Sequence, residues 1–537
     1  MNVAFEPWIP VVTITGDRQL VSISEVFADG VQYADLSVRP HERVSLMRLF
    51  LCVAHAALDG PKNYDEWRTV PRKLPEVALE YLIKWKNSFE LFHSEKPWLQ
   101  VAGLSKSADM QSQSDDISDW THVSKLNFSY ASGNNTTLFD HAGMGVEERK
   151  IPLNETLLSL LTFQCFSVGG LMGQVYWNGV RCGVLADPKK DNGPVKSSDA
   201  PCSPASMIHA FLRGNNLIKT IHLNMPTYDD IRFSYGDRMI GMPVWELSPT
   251  SVKDVLNIEN ATATYMGRLV PMTRSIRLHH TGESMLLGDG LIYPSFANGF
   301  PQEPTATVIP IRKKGQAEER GLLSYRTSKA LWRELASLVV KRNTEGLGGP
   351  LSLRSIQDGE DCDLQVVALA RDKATVVDTV ESSFHIPSKL FTPKGAEVYE
   401  TEAKIAESFA SRLGWAIEGY RSEIDGGWEG RLKSAGPAKG KLKAKLHSIA
   451  TIHYWTAVEK NLSLLMTHIM AIGTDDAMPT REVWRKMLLA TAREAYRTAC
   501  GQETPRQMRA FAKGWQRLTA KKNETESDTT ETKEDEE

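Results

Sequence analysis

The chain has 537 residues, of which 41% are hydrophobic and 24% charged; that length exceeds what one hydrophobic core usually serves, so two or more domains are expected. No apolar run approaches the ~20 residues needed to span a bilayer, and no basic segment followed by an apolar core opens the chain, so neither a membrane span nor a secretory leader is expected. The six cysteines are scattered without a C-x-x-C pair, which fits a reducing cytoplasm and indicates neither a disulfide framework nor a zinc site.

In chain order, Phe5 to Val12 is β-rich and Thr15-Gly16-Asp17 is a turn signal. Leu46, Leu49, Phe50, Val53 and Ala57 recur at helical spacing, as do Leu79, Leu82, Ile83, Phe89 and Phe92. Residues 186–206 are rich in Pro, Ser and Lys and read as a long loop. Residues 343–363 hold Gly346, Gly348, Gly349, Pro350 and Gly359, an irregular loop or hairpin. From about residue 396 the pattern is helix only. Ile405, Phe409, Leu413, Ile417 and Tyr420 form one stripe; Leu446, Ile449, Leu462, Leu465 and Ile469 a second, with Trp455 and Val458 near it. Val483, Met487, Leu488, Thr491 and Ala495 form a third, and Met508, Phe511, Trp515 and Leu518 a fourth. Thr504 as N-cap, Pro505 at the first helical position and Gln507 closing a capping box mark the start of the last helix. Four stripes with a long Gly-rich connection at 425–440 predict a four-helix bundle. The expected fold class is α+β: a mixed α/β domain over 1–391, a hinge at Thr392-Pro393-Lys394-Gly395, the bundle over 396–523, and a tail over 524–537. That tail carries eight acids against Lys533, a net of −7 within an overall −3, so the remainder is +4. With no apolar residue to bury, the tail is expected to be disordered.

Enzyme motifs are missing. There is no G-x-x-x-x-G-K-[ST], no G-x-G-x-x-G, no G-x-S-x-G and no H-E-x-x-H. His279 and His280 are adjacent, and neighbours in a strand face opposite ways, so they read as a solvated and a core histidine rather than a metal pair. Cys165, Cys182 and Cys202 read as small buried hydrophobes. The chain is therefore expected to be non-catalytic, without metal or cofactor. Arg431, Lys433, Lys439, Lys441, Lys443 and Lys445 form a basic run with no acid between Glu429 and Glu459, and residues 395–523 carry a net +7. Such a run is usually a solvated face.

Seven phrases, in order, resemble the CasA family, the large subunit of type I-E CRISPR Cascade. They are Phe5-Glu6-Pro7-Trp8-Ile9-Pro10-Val11, Leu91 to Gln100 (LFHSEKPWLQ), Ala131 to His141 (ASGNNTTLFDH), Phe163 to Gly170 (FQCFSVGG), Phe211 to Leu217 (FLRGNNL), Pro243-Val244-Trp245-Glu246, and Arg274-Ser275-Ile276-Arg277-Leu278. Together they span roughly residues 3–340, while the C-terminal bundle matches in architecture.

The resemblance implies a cytoplasmic ribonucleoprotein subunit that sits beside the crRNA 5′ end and the backbone, small and crRNA-end-binding subunits. It implies reading of a protospacer-adjacent motif in target double-stranded DNA, largely from the minor groove, with a wedge that opens the duplex for R-loop formation. It further implies recruitment of a helicase–nuclease that cuts the target. By themselves Gly169, Gly170 and Gly173 suit a tight turn or close packing; the resemblance makes them instead a backbone that approaches a groove floor. Lys125, Asn127 and Phe128, with Asn134 and Asn135, fall near the segment the family places by the crRNA end and incoming DNA; Lys125 suits phosphate and Phe128 suits base stacking. The wedge is expected on a hairpin between 343 and 363, near Ser352, Leu353 and Arg354, with Gln357 the only glutamine nearby. Family members with a Cys-rich insert or a lysine finger after the segment resembling 274–278 differ from this chain, which has no cysteine there and no Lys or Arg over 279–300. In this family Lys439, Lys441, Lys443 and Lys445 are expected to face nucleic acid. The competing readings are a nuclease without a recognisable motif and a scaffold that binds only protein.

Overall fold

The computed structural model describes residues 1–109, 119–130, 149–191, 193–197, 199–236, 240–293, 303–311, 319–343, 345–356, 359–373, 375–424 and 437–519, with backbone alone at 205 and 437–441. The chain divides into two compact units, Met1–Ile386 and Pro387–Glu537.

The first unit opens on β1 (Ile9–Thr13) and β2 (Arg18–Val21), an antiparallel hairpin in register Ile9↔Val21. Its turn is the expected Thr15-Gly16-Asp17, closed by the Thr13 N–H donating to Asp17 O at 2.9 Å. β3 (Tyr33–Leu36) pairs with the other edge of β1. Helix α1 (Pro40–Leu58) is buried along almost its whole length, because sheet and helices cover it on every side. Helix α2 (Tyr64–Lys84) is amphipathic and capped by Asn63, whose side chain accepts the Glu66 N–H. It turns Trp67, Val70, Leu74, Ala78, Tyr81 and Leu82 inward, so Leu79 and Ile83 of the expected stripe are exposed. Helix α3 (Leu153–Phe166) is buried on every side from Thr156 to Phe166. The expected loop 186–206 contributes a strand. β4 (Gly170–Met172), β5 (Val184–Leu185) and β6 (Val195–Ser197) form a small sheet in the order β4-β6-β5. β7 (Ile208–Arg213) lies outside a long hairpin of β10 (Cys362–Asp372) and β11 (Thr375–Ile386), while β8 (Arg274–Leu278) pairs with β9 (Ser284–Asp289).

The hairpin expected between 343 and 363 is therefore displaced to 362–386. Among its described residues, the earlier stretch winds into a 3-10 turn at Leu351–Ser355. Its glycines permit close backbone approach instead of projection: a Cβ on Gly349 would lie 2.1 Å from Leu338 O, and one on Gly348 2.8 Å from Arg342 Cα.

The polar centre of this unit is Glu303, fully buried with Arg48 and Arg268. Arg48 pairs with one carboxylate oxygen, and Arg268 Nη2 donates to the other at 2.9 Å. Arg48 Nη1 also reaches Thr305 Oγ1 at 3.1 Å, and Arg342 Nη2 donates to Glu303 O at 3.1 Å and Ala306 O at 2.7 Å. Burial alone would raise the Glu303 carboxyl, but the two guanidinium groups hold it at about 2. Burial, helped by Arg48, holds His209 neutral at about 4.

In the second unit, Thr392–Gly395 is the capped start of α4 (Pro393–Ile424) and not a hinge: Thr392 Oγ1 accepts the Gly395 N–H at 3.0 Å, and Pro393 stands where a missing N–H costs nothing. The second predicted stripe resolves into two helices, α5 (Pro437–Lys460) and α6 (Leu462–Ala471), divided at Asn461, where the Asn461 N–H turns back to Val458 O at 3.1 Å. Helix α7 (Ala477–Ala499) turns Trp484 inward and leaves Val483 exposed. Helix α8 (Pro505–Thr519) carries the predicted capping box: Gln507 N–H donates to Thr504 Oγ1 at 3.2 Å, and Thr504 N–H to Gln507 Oε1 at 2.9 Å. Its buried line is Ala510, Gly514 and Leu518, with Met508 outside. Gly514 lets α8 close on α4, since a Cβ there would sit 2.5 Å from Ala416 O.

Glu303→Gln leaves two buried guanidinium groups without a counter-charge and is expected to cost ~3–5 kcal/mol of the first unit's stability by denaturant titration. Because the native carboxyl sits at about 2 against an ordinary 4.5, its contribution is complete above pH 4.5 and is lost as pH falls toward 2. The variant's stability should accordingly depend less on pH across that window.

Candidate nucleic-acid interface

The glycine segment begins where α3 ends. Past Phe166 the chain is pinned at successive positions: Ser167 O accepts the Ala200 N–H at 2.8 Å, Val168 O accepts Arg274 Nη2 at 3.3 Å, and the Gly169 N–H donates to Asp199 Oδ1 at 2.7 Å. It then becomes β4, antiparallel to β6 with Gly170↔Ser197 and Leu171↔Lys196. Alternate strand residues face opposite ways. Ser197 and Val195 turn inward, Ser197 Oγ donating to Asp289 Oδ1 at 2.8 Å. Leu171, Lys196 and Val184 share the outer face, where Leu171 is 70% exposed and Val184 59%. Below them, Arg274 Nη1 pairs with Asp289 Oδ1 at 3.2 Å. Burial lowers the Arg274 guanidinium and raises the Asp289 carboxyl, and each partner opposes the other's shift.

The three glycines do different work. A Cβ on Gly169 would lie 2.8 Å from Ser197 O and 2.9 Å from Asp199 Oδ1. Gly169 thus serves internal packing with its amide already engaged, and the close-packing alternative holds at that position. Gly170 is exposed with φ 156°, and Gly173 is exposed with nothing within 4 Å of an added Cβ.

The long hairpin meets this segment through Asp199. Arg371, near the end of β10, donates from Nη1 to Asp199 Oδ1 at 2.8 Å and pairs through Nη2 with Oδ2. Arg371 Nη1 also holds Lys373 O at 2.9 Å, and the Arg371 N–H donates to Ser206 Oγ at 3.0 Å. Lys373 sits exposed at the tip with φ 54°. Through Asp199 the glycine edge and the hairpin tip are tied together, with Leu171 and Lys196 exposed beside the edge and Asp372 and Lys373 exposed at the tip.

The wedge candidates do not join it. Leu353 is fully buried and Ser352 nearly so, because the 3-10 turn plugs the core. Arg354 is spent on Asp230, Nε to Oδ1 at 2.7 Å, and lies 3.9 Å over the Phe233 ring. Gln357 lies outside the described residues. Phe128 stacks on Phe163 at 5.8 Å and meets His41 edge-on, so it belongs to the core instead of a base-stacking platform. Asn127 is buried, its Oδ1 accepting Arg39 Nη1 at 2.8 Å; Lys125 is exposed. Asn134, Asn135 and the tail 524–537 lie outside the described residues. His279 is half-buried and His280 exposed, so neither is a core histidine.

The lysine run is helical. Lys439, Lys441, Lys443 and Lys445 all fall within α5, and a spacing of two residues on a helix of 3.6 per turn divides them between two sides. The side chains of Lys439 and Lys441 lie outside the described residues. Lys443 Nζ is 3.7 Å from Glu418 Oε1, in a cluster with Arg421 and His447, and Lys445 is exposed.

Asp199, Arg371, Lys373, Leu171 and Lys196 were not singled out from sequence. The signal for the tip was legible: Asp372-Lys373 separates two β-rich runs, Leu364 to Leu369 and Thr375 to Val380. Asp199 left no trace, since its partners lie 30 and 172 residues away.

Among the described residues no cluster of ligating side chains suited to a metal ion occurs, and no helix is long and apolar enough to cross a membrane. The family model for CRISPR-associated protein Cse1 matches residues 2–495. A curated relative, CRISPR-associated protein CasA/Cse1 of Thermus thermophilus, is 27% identical over 524 residues, covering 92% of this chain and 91% of its own. The fold is similar to that of a crystal structure of Thermus thermophilus CasA, with TM-score 0.71 at 22% identity over 96% of this chain and 98% of the other. It is also similar to Thermobifida fusca Cse1, with TM-score 0.70 at 17% identity over 96% and 98%. A chain of a CRISPR RNA-guided surveillance complex superposes with TM-score 0.68 at 16% identity, over 97% and 99%.

The sorting of the glycines has a measurable consequence. Gly169→Ala should destabilise the first unit by ~1 kcal/mol or more, because backbone and a bonded carboxylate block the added methyl. Gly173→Ala, facing open space, should change stability by under ~0.5 kcal/mol. Denaturant midpoints of the two variants check the pair.

Proposed function

The chain belongs to the CRISPR-associated Cse1 family, the CasA large subunits of Cascade surveillance complexes, and from that premise we propose that it reads the protospacer-adjacent motif of target double-stranded DNA and helps open the duplex without cutting it. The observation that carries this reading is the surface on which the exposed Gly170–Leu171 backbone edge and the tip of the β10–β11 hairpin come together. A backbone without side chains enters a narrow groove, whose degenerate donor and acceptor pattern tolerates several motifs. The tip, not Leu353, is the wedge: it projects from a paired ribbon of eleven and twelve residues with Lys373 exposed at its end. Leu171 supplies the apolar contact that minor-groove proteins commonly use. Lys196 and Lys373 meet phosphate.

The partners follow from the family. Relatives occur in CRISPR RNA-guided surveillance complexes, so crRNA and the backbone, small and crRNA-end-binding subunits are the proposed neighbours. A helicase–nuclease recruited after R-loop formation is the proposed source of cleavage, and the cytoplasm the proposed compartment. Labelled duplex incubated with the purified protein, with and without Mg²⁺, should remain intact; cleavage would favour a nuclease.

Two substitutions test the DNA-reading role. Gly170→Asp places bulk and negative charge against a polyanion, so the assembled complex should keep its crRNA while losing motif-dependent duplex binding, at a stability cost of ~1 kcal/mol or more because Gly170 sits at φ 156°. Normal binding would remove this loop from the interface. Replacing Lys439, Lys441, Lys443 and Lys445 with Ala should weaken binding about equally across sequences. The slope of log K against log salt should flatten by about 0.9 per lost contact on duplex or about 0.7 on single strand. The split of the run across α5 puts the expected loss at fewer than four contacts, and an unchanged slope would mark it as a solvated face.

A further inference from the structure

Asp199 occupies a position that the motif-reading role does not itself require. It lies on neither the glycine strand nor the hairpin, yet it ends interactions from both. One carboxylate oxygen takes the Gly169 N–H at 2.7 Å and Arg371 Nη1 at 2.8 Å; the other takes Arg371 Nη2. The pair is partly buried, with Arg371 13% and Asp199 27% exposed, so water screens it less than a surface ion pair. Both ends are constrained. Gly169 is held by its amide bond to Asp199 and leaves no room for a side chain beside Ser197 O, and Arg371 is bound as well to Ser206 Oγ through its backbone N–H and to Lys373 O through its guanidinium. A fork of two parallel N–H···O bonds fixes orientation as well as distance.

We infer that Asp199, through its bidentate pair with Arg371, is a positioning residue that holds the motif-reading glycine edge and the duplex-opening hairpin tip at one fixed spacing. Asp199 touches no DNA in this arrangement. It acts through Gly169 on one side and Arg371 on the other, so that binding at the glycine edge presents the tip to one defined base step. The inference rests on the DNA-reading role of this surface. It also explains why Gly169 must be glycine: the anchor has to come within hydrogen-bond distance of its amide.

The test uses the assembled crRNA complex and two duplexes, one carrying the preferred motif and one lacking it, with melting temperature measured on the same preparations. Asp199→Asn keeps the shape and an oxygen for the Gly169 N–H but removes the charge that orients the guanidinium. The affinity ratio between the two duplexes should shrink about tenfold, within the usual range for coupled sites. Binding to the motif-free duplex should stay unchanged, while the melting temperature falls modestly because a partly buried pair loses its charge. Arg371→Ala breaks the same pair from the hairpin side and should shrink the ratio by a similar factor even if Asp199→Asn proves unstable. The double variant should be no worse than either single one, because both remove one interaction. An unchanged ratio in folded Arg371→Ala, or additive losses in the double variant, would overturn the inference. So would an equal loss on both duplexes in Arg371→Ala, which would make Arg371 a phosphate contact instead of a partner of Asp199. Gly170→Asp separates the two levels. If it too keeps the motif preference, the DNA-reading role of the surface fails; if it loses the preference while the Asp199 and Arg371 variants keep it, only the positioning role fails.

Discussion

A carboxylate sealed from water must find cations or lose its charge, and Glu303 is where this molecule meets that requirement. Arg48 arrives from the middle of α1, Arg268 from a helical turn 220 residues later, and Arg342 from the stretch before the 3-10 turn. Isolated burial of any of these charges would be prohibitive, so the segments that carry them cannot drift apart independently. The network continues through neutral groups. Thr305 Oγ1 contacts Arg48 and His209 Nδ1, while His209 Nε2 donates to Cys202 O at 3.0 Å. The Cys202 N–H in turn donates to Cys165 O at 3.1 Å. Held neutral at about 4, His209 can accept on one nitrogen and donate on the other, which a charged imidazolium could not do.

That chain of bonds ends at the base of the glycine segment. Cys165 lies at the end of α3 and Cys202 three residues past Asp199, so the two backbones that carry Gly169 and its anchor are joined below the surface. The exposed edge is thus tied to the core by hydrogen bonds beneath it. The outer face can then consist of a glycine, a leucine and lysines that make few internal contacts, because the residues behind them are already fixed. Proposed recognition by backbone shape needs this arrangement, since an edge without side chains has no rotamers with which to correct a misplaced strand.

The second unit follows different rules. Its helices owe their limits to local chemistry, with Thr392 and Pro393 opening α4 and Thr504, Pro505 and Gln507 opening α8. Small residues set how closely they pack, as Gly514 against Ala416 and Gly419 shows. A buried Glu402, met by Arg481 Nε and Arg485 Nη2 at 2.8 Å each, repeats on a smaller scale the logic of Glu303.

Local pattern determined a good deal from sequence alone. The division into a mixed unit and a helical unit, the β1–β2 turn, the capping box of α8 and the kinship carried by seven phrases were all legible, because each depends on residues a few positions apart or on their order. Pattern failed where a residue's fate depended on what lay opposite it. Leu353 has the character of a wedge but plugs a core, Phe128 has that of a stacking platform but packs on Phe163, and Val483 yields its inward place to Trp484. Four alternating lysines look like one stripe until a helix divides them between two sides. The joining of glycine edge to hairpin tip belongs wholly to tertiary structure. Asp199 has no local signature, and its meaning comes from an amide 30 residues before it and a guanidinium 172 after it, brought together by the tertiary fold.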